Sequence, residues 1–377
     1  MRDNWTETAI SDVAEVLSGF AFKSELFSEI DGIPLIRIRD LQKRKFTEAG
    51  YTGDYEERYL VNSGDFLIGM DGGFRCYEWL GPKALLNQRV CRIQSFDELE
   101  VIPRFVFFLV NQYLEKIEES TSFTTVKHIS VKQVKDIRFP LPPLAEQKRI
   151  VDIVSSVDTY IDALQQQVDA ARTARNAVLH ELLTAAGDDW TETTLDAISL
   201  NLNSRRIPIT KSDRNVGPFP YYGASGIVDY VDNFIFDECT LLISEDGANL
   251  TARSTPIAFS AQGKYWVNNH AHVLRFEDIA TQTYVEFYLN AVRIDEWVTG
   301  AAQPKLNQKS LNEIPIPLPP IAEQKRIVEI VSSMDEVVQA AESAVIEAKN
   351  LRSGLLSDLL SGEHEIPVSY DAFLEAA

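Results

Sequence analysis

The stretch LPPLAEQKRIVDIVSSVD at residues 141–158 returns as LPPIAEQKRIVEIVSSMD at residues 318–335, with 15 of 18 positions identical at an offset of 177. A second echo, WTET at residues 5–8 and again at residues 190–193, has an offset of 185. A period this long indicates duplicated domains and not a solenoid of short repeats. The chain is therefore a tandem duplication, in which each unit has a WTET start, a variable block, a proline-rich joint and a long helix.

Each repeated stretch predicts the start of a long helix, because Pro142-Pro143 and Pro319-Pro320 cannot continue a helix from upstream but are tolerated in its first turn. Apolar residues then recur in steps of three and four, which is the pattern of a coiled-coil seam. The seam residues are Ile150, Val154, Val157, Ile161, Leu164, Val168, Ala171, Arg175, Val178 and Leu182 in the first helix, and Ile327, Val331, Met334, Val338, Ala341, Val345, Ala348, Arg352, Leu355 and Leu359 in the second. An arginine interrupts both seams at the same step. Gly187 and Gly362 are the expected helix stops.

Pairing of the two helices has a simple expected geometry. Near-identical units pair most simply about a two-fold axis, which makes the helices antiparallel and places the variable blocks at opposite ends. A helix of roughly 40 residues at about 1.5 Å each is about 60 Å long, which is comparable with one to two turns of DNA. The alternative is two amphipathic helices, each packed on its own domain.

Bulk charge argues against a nucleic-acid ligand, because such proteins are normally basic. The 377 residues include 36 basic and 56 acidic ones, for a net charge of −20. Residues 1–139 are closer to balance, with 18 basic and 22 acidic residues and a net of −4. A local basic stripe is therefore compatible with the composition, and the acidic excess indicates solubility or adaptation to salt.

Cysteine usage and hydropathy predict a protein of the reducing cytoplasm. Cys76, Cys91 and Cys239 are far apart and odd in number, so they offer neither a disulfide framework nor a CxxC zinc pair. The N-terminal stretch MRDNWTETAI has no apolar signal core, and no later segment approaches the roughly 20 apolar residues of a membrane span. We expect no membrane association.

The order of a variable block, PLPPLAEQKRIV with a long helix, a second variable block and PLPPIAEQKRIV with a second helix resembles the specificity subunit of type I restriction-modification systems. The resemblance covers all but residues 363–377, which we leave unassigned. It implies that each variable block is a target recognition domain and that the conserved helices form an antiparallel coiled coil that sets the spacing between two half-sites. It also implies double-stranded DNA as a ligand and docking of modification (methyltransferase) subunits, two of them, on these helices, with restriction subunits joining through the complex.

The expected fold is α+β, with two tandem α/β target recognition domains joined by the two helices in a pseudo-two-fold symmetric arrangement. The expected segments are 1–139 for the first recognition domain, 140–186 for the central helix, 187–316 for the second recognition domain, 317–362 for the C-terminal helix and 363–377 for the tail. The proline joints are expected to be flexible.

In the first block, two stretches carry side chains suited to DNA. GIPLIRIRDLQKRKF at residues 32–46 predicts a strand that ends in a basic cluster, and residues 64–93 predict an apolar strand leading into a glycine-rich loop. Glycine allows close backbone approach to a phosphate, arginine can bind guanine bidentately, and Asn or Gln can bind adenine. The candidate DNA contacts are Arg37, Arg39, Lys43, Arg44, Asp71, Gly72, Arg75, Gln88 and Arg89. The alternative is tight turns with solvated charges.

The second block predicts the same layout with other residues. The aromatic stretch 218–226 resembles one found often in the family, and Glu245-Asp246-Gly247 lies where Asp71-Gly72-Gly73 lies in the first block. Acids repel phosphate but can accept a hydrogen bond from a cytosine amino group. The candidate contacts are Tyr221, Tyr222, Ser225, Glu245, Asp246, Asn249, Gln262, Lys264, Asn268, Asn269 and His270. His270 and His272 lack the further ligands that a metal site needs, so no metal is expected.

A further loop precedes each joint, with Thr124-Thr125-Val126-Lys127-His128 in the first unit and Ala302-Gln303-Pro304-Lys305 in the second. Lys127 and Lys305 are candidate phosphate contacts, and surface lysines without a ligand are the alternative.

The chain lacks the motifs of the relevant enzymes. A DNA adenine methyltransferase would show an Asn/Asp-Pro-Pro-Tyr loop and a glycine-rich cofactor turn, but the Pro-Pro pairs here are followed by Leu144 and Ile321. No GxxxxGK[ST] phosphate loop is present. We expect a non-catalytic subunit without a cofactor of its own, since S-adenosylmethionine belongs to the partner methyltransferase. The alternative function is a coiled-coil assembly scaffold that does not read DNA sequence.

Overall fold

The computed structural model describes residues 4–120, 127–185, 187–300, 303–363 and 366–371. Predictions that fall on residues 124–126 and 302 lie outside the described residues. The chain forms two compact units, the first from residues 1–163 with 345–377 and the second from residues 164–344. Both long helices are divided between the units, so the five sequence-based segments stay a prediction.

The first unit has mixed short strands and helices before its long helix. Its strands are β1 (Thr6–Ala9), β2 (Glu15–Ser18), β3 (Phe27–Ser28), β4 (Ile33–Ile36), β5 (Gly50–Tyr51), β6 (Leu60–Val61), β7 (Phe66–Gly69), β8 (Cys76–Glu78), β9 (Ala84–Leu86), β10 (Val90–Gln94) and β11 (Arg138–Leu141). Its helices are α1 (Ile10–Val13), α2 (Ile38–Leu41), α3 (Pro103–Ser120) and α4 (Val131–Lys135), followed by the long helix α5 (Leu144–Thr184).

One sheet of the first unit, with strand order β2-β10-β7-β8, packs against α3. Ile68 of β7 and Cys91 of β10 are buried in the same core as Phe105 and Leu109 of α3. A second sheet, with order β3-β5-β4-β9-β6, has smaller cores of its own. Every residue of β7 is buried, because one face of its sheet packs on α3 through Ile68 and the other packs on the second sheet through Leu67.

The second unit repeats this layout. Its strands are β12 (Thr191–Thr194), β13 (Ser199–Asn201), β14 (Val216–Gly223), β15 (Gly226–Val231), β16 (Phe236–Asp237), β17 (Thr240–Ser244), β18 (Ala258–Ala261), β19 (Lys264–Val267), β20 (Ala271–Phe276) and β21 (Pro315–Leu318). Its helices are α6 (Leu195–Ile198), α7 (Asn249–Ala252), α8 (Ile279–Ala291) and α9 (Gln308–Asn312), followed by the long helix α10 (Ile321–Ser361).

Strand order shows the duplication directly. The sheet β13-β20-β17-β18 packs on α8 as β2-β10-β7-β8 packs on α3, and a second sheet has order β15-β14-β19-β16. The WTET strands are also equivalent, since β1 pairs with β11 and β12 pairs with β21, in both cases antiparallel. Each WTET strand therefore pairs with the strand that leads into the proline joint.

The two long helices have equivalent bounds, since Leu144 and Thr184 lie 177 positions before Ile321 and Ser361. Gly362 follows α10 with φ of 71°, the left-handed conformation of a helix stop. Gly187 does not play this part, because α5 already ends at Thr184.

In each unit, a segment of α5 and a segment of α10 run antiparallel. In the second unit Arg175 pairs with Asp335 while Arg172 pairs with Glu342, and in the first Asp158 pairs with Arg352 while Arg149 pairs with Asp371 in the tail that follows α10. Moving towards the start of one helix therefore moves towards the end of the other. The predicted seam residues Ile150, Val154, Ile161, Val168, Ile327, Val331 and Val345 are buried, and Val157, Leu164, Met334 and Val338 are half-buried.

Past the seam arginines, the buried stripe differs from the prediction by one residue. Leu179 and Leu183 are buried at 4% and 8% exposure, whereas Val178 and Leu182 are half-buried. Leu356 is likewise buried where Leu355 was predicted. A helix of 3.6 residues per turn drifts away from a 3.5-residue repeat, so the stripe moves on by one position.

Each proline joint is clamped by a buried glutamine. The Gln147 side chain donates to the carbonyls of Glu100 and Pro142 at 2.9 and 2.8 Å and accepts from the Ile102 amide at 2.8 Å. Gln324 donates to the Pro319 carbonyl at 2.7 Å and accepts from the Thr281 hydroxyl at 2.7 Å. These bonds argue against the flexible joints expected from the prolines.

The strand predicted over residues 32–46 is wrong in its second half. β4 ends at Ile36, and α2 then carries Arg39. The Asp40 carboxylate accepts from the Arg37 amide at 3.0 Å, which caps α2 and breaks the strand.

Candidate nucleic-acid interface

Three loops meet at the end of β7 in the first unit, and we call them its three-loop cluster: residues 70–73 after β7, residues 87–89 before β10 and residues 127–130 before α4. Main-chain bonds hold the loops together. The Met70 amide donates to the Arg89 carbonyl at 3.0 Å, the Gly72 amide to the Lys127 carbonyl at 2.9 Å, and the Ile129 amide to the Met70 carbonyl at 2.9 Å.

The second unit has the same three-loop cluster, formed by residues 245–248 after β17, residues 268–270 before β20 and residues 304–307 before α9. The Glu245 amide donates to the His270 carbonyl at 2.8 Å, the Gly247 amide to the Pro304 carbonyl at 3.0 Å, and the Leu306 amide to the Glu245 carbonyl at 2.8 Å. The predicted equivalence of the Asp71 and Asp246 loops is therefore confirmed.

Both clusters need a glycine after the aspartate. Gly72 and Gly247 have φ of 84° and 109°, and no heavy atom lies within 4 Å of the position that a Cβ would take at either. The left-handed backbone strains any other residue there. The open space leaves the main chain accessible to a ligand.

In the first cluster, a histidine and an arginine hold the aspartate. Asp71 lies 2.6 Å from His128 Nδ1 and 3.5 Å from Arg89. The Arg89 and His128 side chains are 58% and 47% exposed, so both keep a face open to solvent. Gln88, beside Arg89, is also exposed.

The second cluster contains the same elements in exchanged positions. Asp246 lies 2.9 Å from the Nδ1 atom of His270, which comes from the second loop, whereas His128 comes from the third. Lys305 takes the third-loop position and lies 3.3 Å from Glu245. Asn269 is exposed beside His270.

Glu245 is the most heavily bonded acid of the second cluster. It lies 2.7 Å from Arg206 and 3.7 Å from the buried His272. Burial pushes the pKa of Glu245 up, but Arg206, His272 and Lys305 outweigh burial and hold that pKa below its ordinary value. Burial also lowers the pKa of His272, which lies 2.9 Å from Asn203 and 2.8 Å from the Leu306 carbonyl.

The two candidate phosphate contacts, Lys127 and Lys305, do not occupy equivalent positions. Lys305 forms an isolated antiparallel β-bridge with Asp246, as His128 does with Asp71. Lys305 and His128 are therefore the equivalent residues. Lys127 is 16% exposed and donates to the Glu118 carbonyl at 2.7 Å. The offset of 177 that relates the two helices also relates His128 to Lys305, and it could have revealed this equivalence from the sequence.

Other cations predicted in the first unit are tied to acids. Arg37, Arg39 and Lys43 all contact Glu48, with Lys43 at 2.6 Å, and these contacts lower the pKa of Glu48, the hydrogen bond from Lys43 most. Arg44, with φ of 58°, donates to the Glu78 carbonyl at 3.2 Å.

Arg75 lies beside the cluster but is bound by two acids of α3. Its guanidinium is 3.0 Å from Glu118 and 3.5 Å from Glu115. Half of its side chain is covered, and Glu118 also accepts from the Phe74 amide at 3.0 Å. The geometry therefore gives Arg75 a part in holding the glycine-rich loop on α3.

Several residues predicted to contact DNA in the second block are found packed in the interior or bonded within turns. Tyr221 is 1% exposed and its hydroxyl bonds the main chain of Ile209, while Tyr222 packs on Phe259 and Tyr265. The Asn249 side chain closes the turn to Thr255, and Asn268 is buried and accepts from the His270 amide. Exposed positions away from the three loops are Ser225, Gln262 and Lys264.

Sequence reasoning missed His128 and Arg206 as members of the clusters. His128 was noted only within its loop, and Arg206 lies 39 positions before its partner Glu245. In the part of the chain that the structure describes, no group of three or more His, Cys, Asp or Glu is placed to hold a metal ion. None of the described helices is long and apolar enough to cross a membrane.

The family described as type I restriction modification DNA specificity domain matches residues 2–171 and again residues 187–348. The chain belongs to this family, and the resemblance drawn from the doubled motif is confirmed.

Similar proteins span nearly the whole chain. The type I restriction enzyme EcoBI specificity subunit of Escherichia coli is 29% identical over 417 residues, covering 96% of this chain and 87% of that protein. The type I restriction enzyme MjaVIII specificity subunit of Methanocaldococcus jannaschii is 21% identical, with coverage of 96% and 93%. The crystal structure of the type I restriction-modification S subunit from M. genitalium has a TM-score of 0.57 at 18% identity, covers 97% of this chain and 98% of that one, and shows the shared fold.

Proposed function

We propose that this chain is the sequence-reading specificity subunit of a type I restriction-modification complex, and that it binds an asymmetric bipartite site on double-stranded DNA. One observation carries the proposal: the three-loop cluster occurs in both units on the same main-chain bonds but with different exposed side chains. A shared frame with different chemistry suits two half-sites of different sequence.

The exposed side chains of the clusters supply the reading chemistry. Arg89 and Gln88 suit guanine and adenine edges in the first half-site, and His270 with Asn269 take that part in the second. Asp71 orients His128 and pairs with Arg89, and Asp246 orients His270. The open glycine main chain approaches a phosphate.

Phosphate contacts are assigned to equivalent lysines after the third loop. Lys132 on α4 and Lys309 on α9 are exposed and lie 177 positions apart. Each follows the cap residue of its short helix, Ser130 or Asn307. Local cations of this kind position a protein on DNA even where the chain as a whole is acidic.

The repeated helices are the docking surface for two modification subunits. Equivalent exposed residues are identical in the two copies: Ala145 and Ala322, Lys148 and Lys325, Ser156 and Ser333. Two identical surfaces suit two copies of one partner. The chain itself is non-catalytic and without a cofactor, the modification subunits bring S-adenosylmethionine, the restriction subunits join through the complex, and the assembly acts in the cytoplasm.

The test compares Arg89→Ala with His270→Ala in a host that carries the partner subunits. Methylome sequencing should show relaxed specificity in the first half-site only for Arg89→Ala and in the second only for His270→Ala. A lost base contact costs roughly 1–3 kcal/mol of discrimination, or about 5- to 150-fold. Lys349→Ala, an exposed site on α10, is the control and should change neither half-site.

Equal relaxation of both half-sites by either variant would refute the modular assignment. If the parent complex protected no defined duplex sequence, the assembly-scaffold alternative would replace the proposal.

A further inference from the structure

The apolar seams of α5 and α10 do not by themselves define how the helices pair. The two helices begin with stretches identical at 15 of 18 positions, so parallel and antiparallel pairing, and pairing shifted by one heptad, bury similar apolar side chains. A helix pair of this kind needs a further element that disfavours the alternatives.

Two equivalent ion pairs interrupt the seams. In the second unit Arg175 lies 2.8 and 3.1 Å from the two carboxylate oxygens of Asp335. In the first unit Arg352 makes the same bidentate contact with Asp158, and its Nη2 atom lies 3.0 Å from Oδ2 of Asp158. The arginines lie 177 positions apart and so do the aspartates; we call these four residues the charge quartet.

Each arginine also contacts its recognition domain. The Arg352 guanidinium lies 5.6 Å from the ring centre of Phe108 on α3, and the Arg175 guanidinium lies 5.5 Å from that of Phe287 on α8. Only 25% and 19% of the arginine side chains are exposed. Each arginine therefore joins both long helices to the domain helix of its own unit.

Alternative pairings fail for this quartet. A parallel in-register pair would place Asp158 opposite Asp335, which are 30% and 45% exposed, and the more covered Arg175 opposite Arg352, so like charges would face each other. An antiparallel pair shifted by one heptad would move each arginine about 10 Å away from its aspartate. A covered guanidinium without a partner is strongly disfavoured.

We propose that the charge quartet specifies the direction and register of the helix pair and seats each recognition domain on it. Its members are positioning residues, since they act through the placement of the domains. Polar groups at single seam positions specify register in coiled coils, usually at a cost in stability. The consequence for DNA, one fixed spacer between half-sites, rests on the proposed function, whereas the register itself does not.

The first experiment measures the helix register on the purified full chain. Cys239, which is half-buried, is replaced by serine so that it cannot take a label, whereas Cys76 and Cys91 are buried. Spin labels at Ser156→Cys and Ser353→Cys, exposed positions of α5 and α10 in the first unit, report one distance in the parent. Replacing the pair by leucine, with Asp158→Leu and Arg352→Leu, keeps the seam apolar. We expect a second population at a longer distance, because a slide of one heptad moves one label about 10 Å along the helix axis away from the other.

The exchanged pair Asp158→Arg with Arg352→Asp tests charge complementarity. The single reversal Arg352→Asp should lose the parental distance, and the exchanged pair should regain it, because opposite charges again face each other. The control replaces the exposed pair Arg172 and Glu342 by leucine and should leave one distance. A single parental distance in the leucine pair, or failure of the exchanged pair to regain it, overturns the proposal.

The second experiment is methylome sequencing of the leucine pair with its partner subunits. More than one spacer length, with unchanged half-site sequences, is the expected result. One parental spacer despite two label distances would overturn the link to spacing and leave the register assignment standing. A parent complex without any defined site would refute the proposed function, and the label distances would still decide the register.

Discussion

Glu146 and Glu323 occupy equivalent positions at the start of the two long helices, yet they have different partners. Glu146 is 8% exposed and accepts from the Trp5 indole at 3.1 Å. Glu323 is 34% exposed and pairs with Arg326 at 2.9 Å. Arg149, the equivalent of Arg326, binds Asp371 of the tail at 2.7 Å.

The same sequence thus forms different ion pairs in the two units, while the glutamine clamp one residue further on is retained. The buried amide has main-chain partners that the fold supplies in both units, whereas the charged groups take whatever neighbour is present. The two three-loop clusters follow the same rule, with constant main-chain bonds and variable side-chain pairs.

The largest expected effect comes from Val154→Asp and Val331→Asp, equivalent seam positions with 1% and 0% exposure. Each variant should destabilise its own unit by several kcal/mol, on the order of 3–5, because it buries a carboxylate without a partner. Hydrogen exchange mapped by mass spectrometry should locate the loss in the unit that carries the change.

Ser156→Asp and Ser333→Asp are the matched controls, since both serines are exposed on the same helices. Parental stability in either valine variant would show that the two helix segments are not paired in equivalent ways.

The glutamine clamps should differ in strength. Gln147→Leu leaves the Glu100 and Pro142 carbonyls and the Ile102 amide without this partner, and Gln324→Leu leaves the Pro319 carbonyl and the half-buried Thr281 hydroxyl. At about 1–3 kcal/mol for each buried group left unsatisfied, Gln147→Leu should cost more. Denaturant unfolding of both variants measures the difference.

The exposed Gln166 of α5 provides the control, as Gln166→Leu should change stability by less than about 0.5 kcal/mol. Equal losses in the two clamp variants would mean that the joints are interchangeable despite their different contacts.

The smallest expected effect is a pH dependence of stability that is present in the second three-loop cluster and absent from the first. The pKa of Glu245 is lowered in the folded chain, so its contribution is complete above the ordinary value of 4.5 and is lost as pH falls through the lowered value. Glu245→Gln should therefore be less stable than the parent at pH 7, by about 1–3 kcal/mol for bonds to a charged group. The difference should shrink as the pH falls below 4.5.

Local hydrogen exchange at β17 and β20 between pH 3 and pH 7 gives the measurement. Met70 occupies the position in the first cluster that Glu245 occupies in the second. The stability difference between Met70→Gln and the parent should therefore not shrink as the pH falls. A Glu245→Gln difference that stayed constant over this range would contradict the assignment of these ion pairs.

Local signals in the sequence predicted the helices well. The prolines at 142–143 and 319–320 and the seam periodicity placed helices at 140–186 and 317–362, and the structure has Leu144–Thr184 and Ile321–Ser361. The repeat also aligned the Asp71 and Asp246 loops. These features depend on neighbours in sequence, so pattern and offset are sufficient to find them.

Contacts between distant residues were not predictable in this way. Asp71 and His128 are 57 positions apart, and only the fold brings their loops together. Alternation of apolar and basic residues suggested a strand through Arg39, but Asp40 caps a helix there because its carboxylate reaches the Arg37 amide. Tyr221 was a candidate DNA contact from its aromatic stretch, yet its hydroxyl bonds the Ile209 main chain and the ring is buried.

The main-chain bonds of the three-loop clusters have an evolutionary consequence. Substitutions at Arg89, His128, His270 or Lys305 leave the loop paths intact, since amides and carbonyls hold the loops. The glycines at 72 and 247 are constrained by their left-handed backbone conformation. Under the proposed function, a lineage can therefore alter one half of its target by ordinary point mutation while the other half, and the folding of the whole chain, stays under unchanged selection.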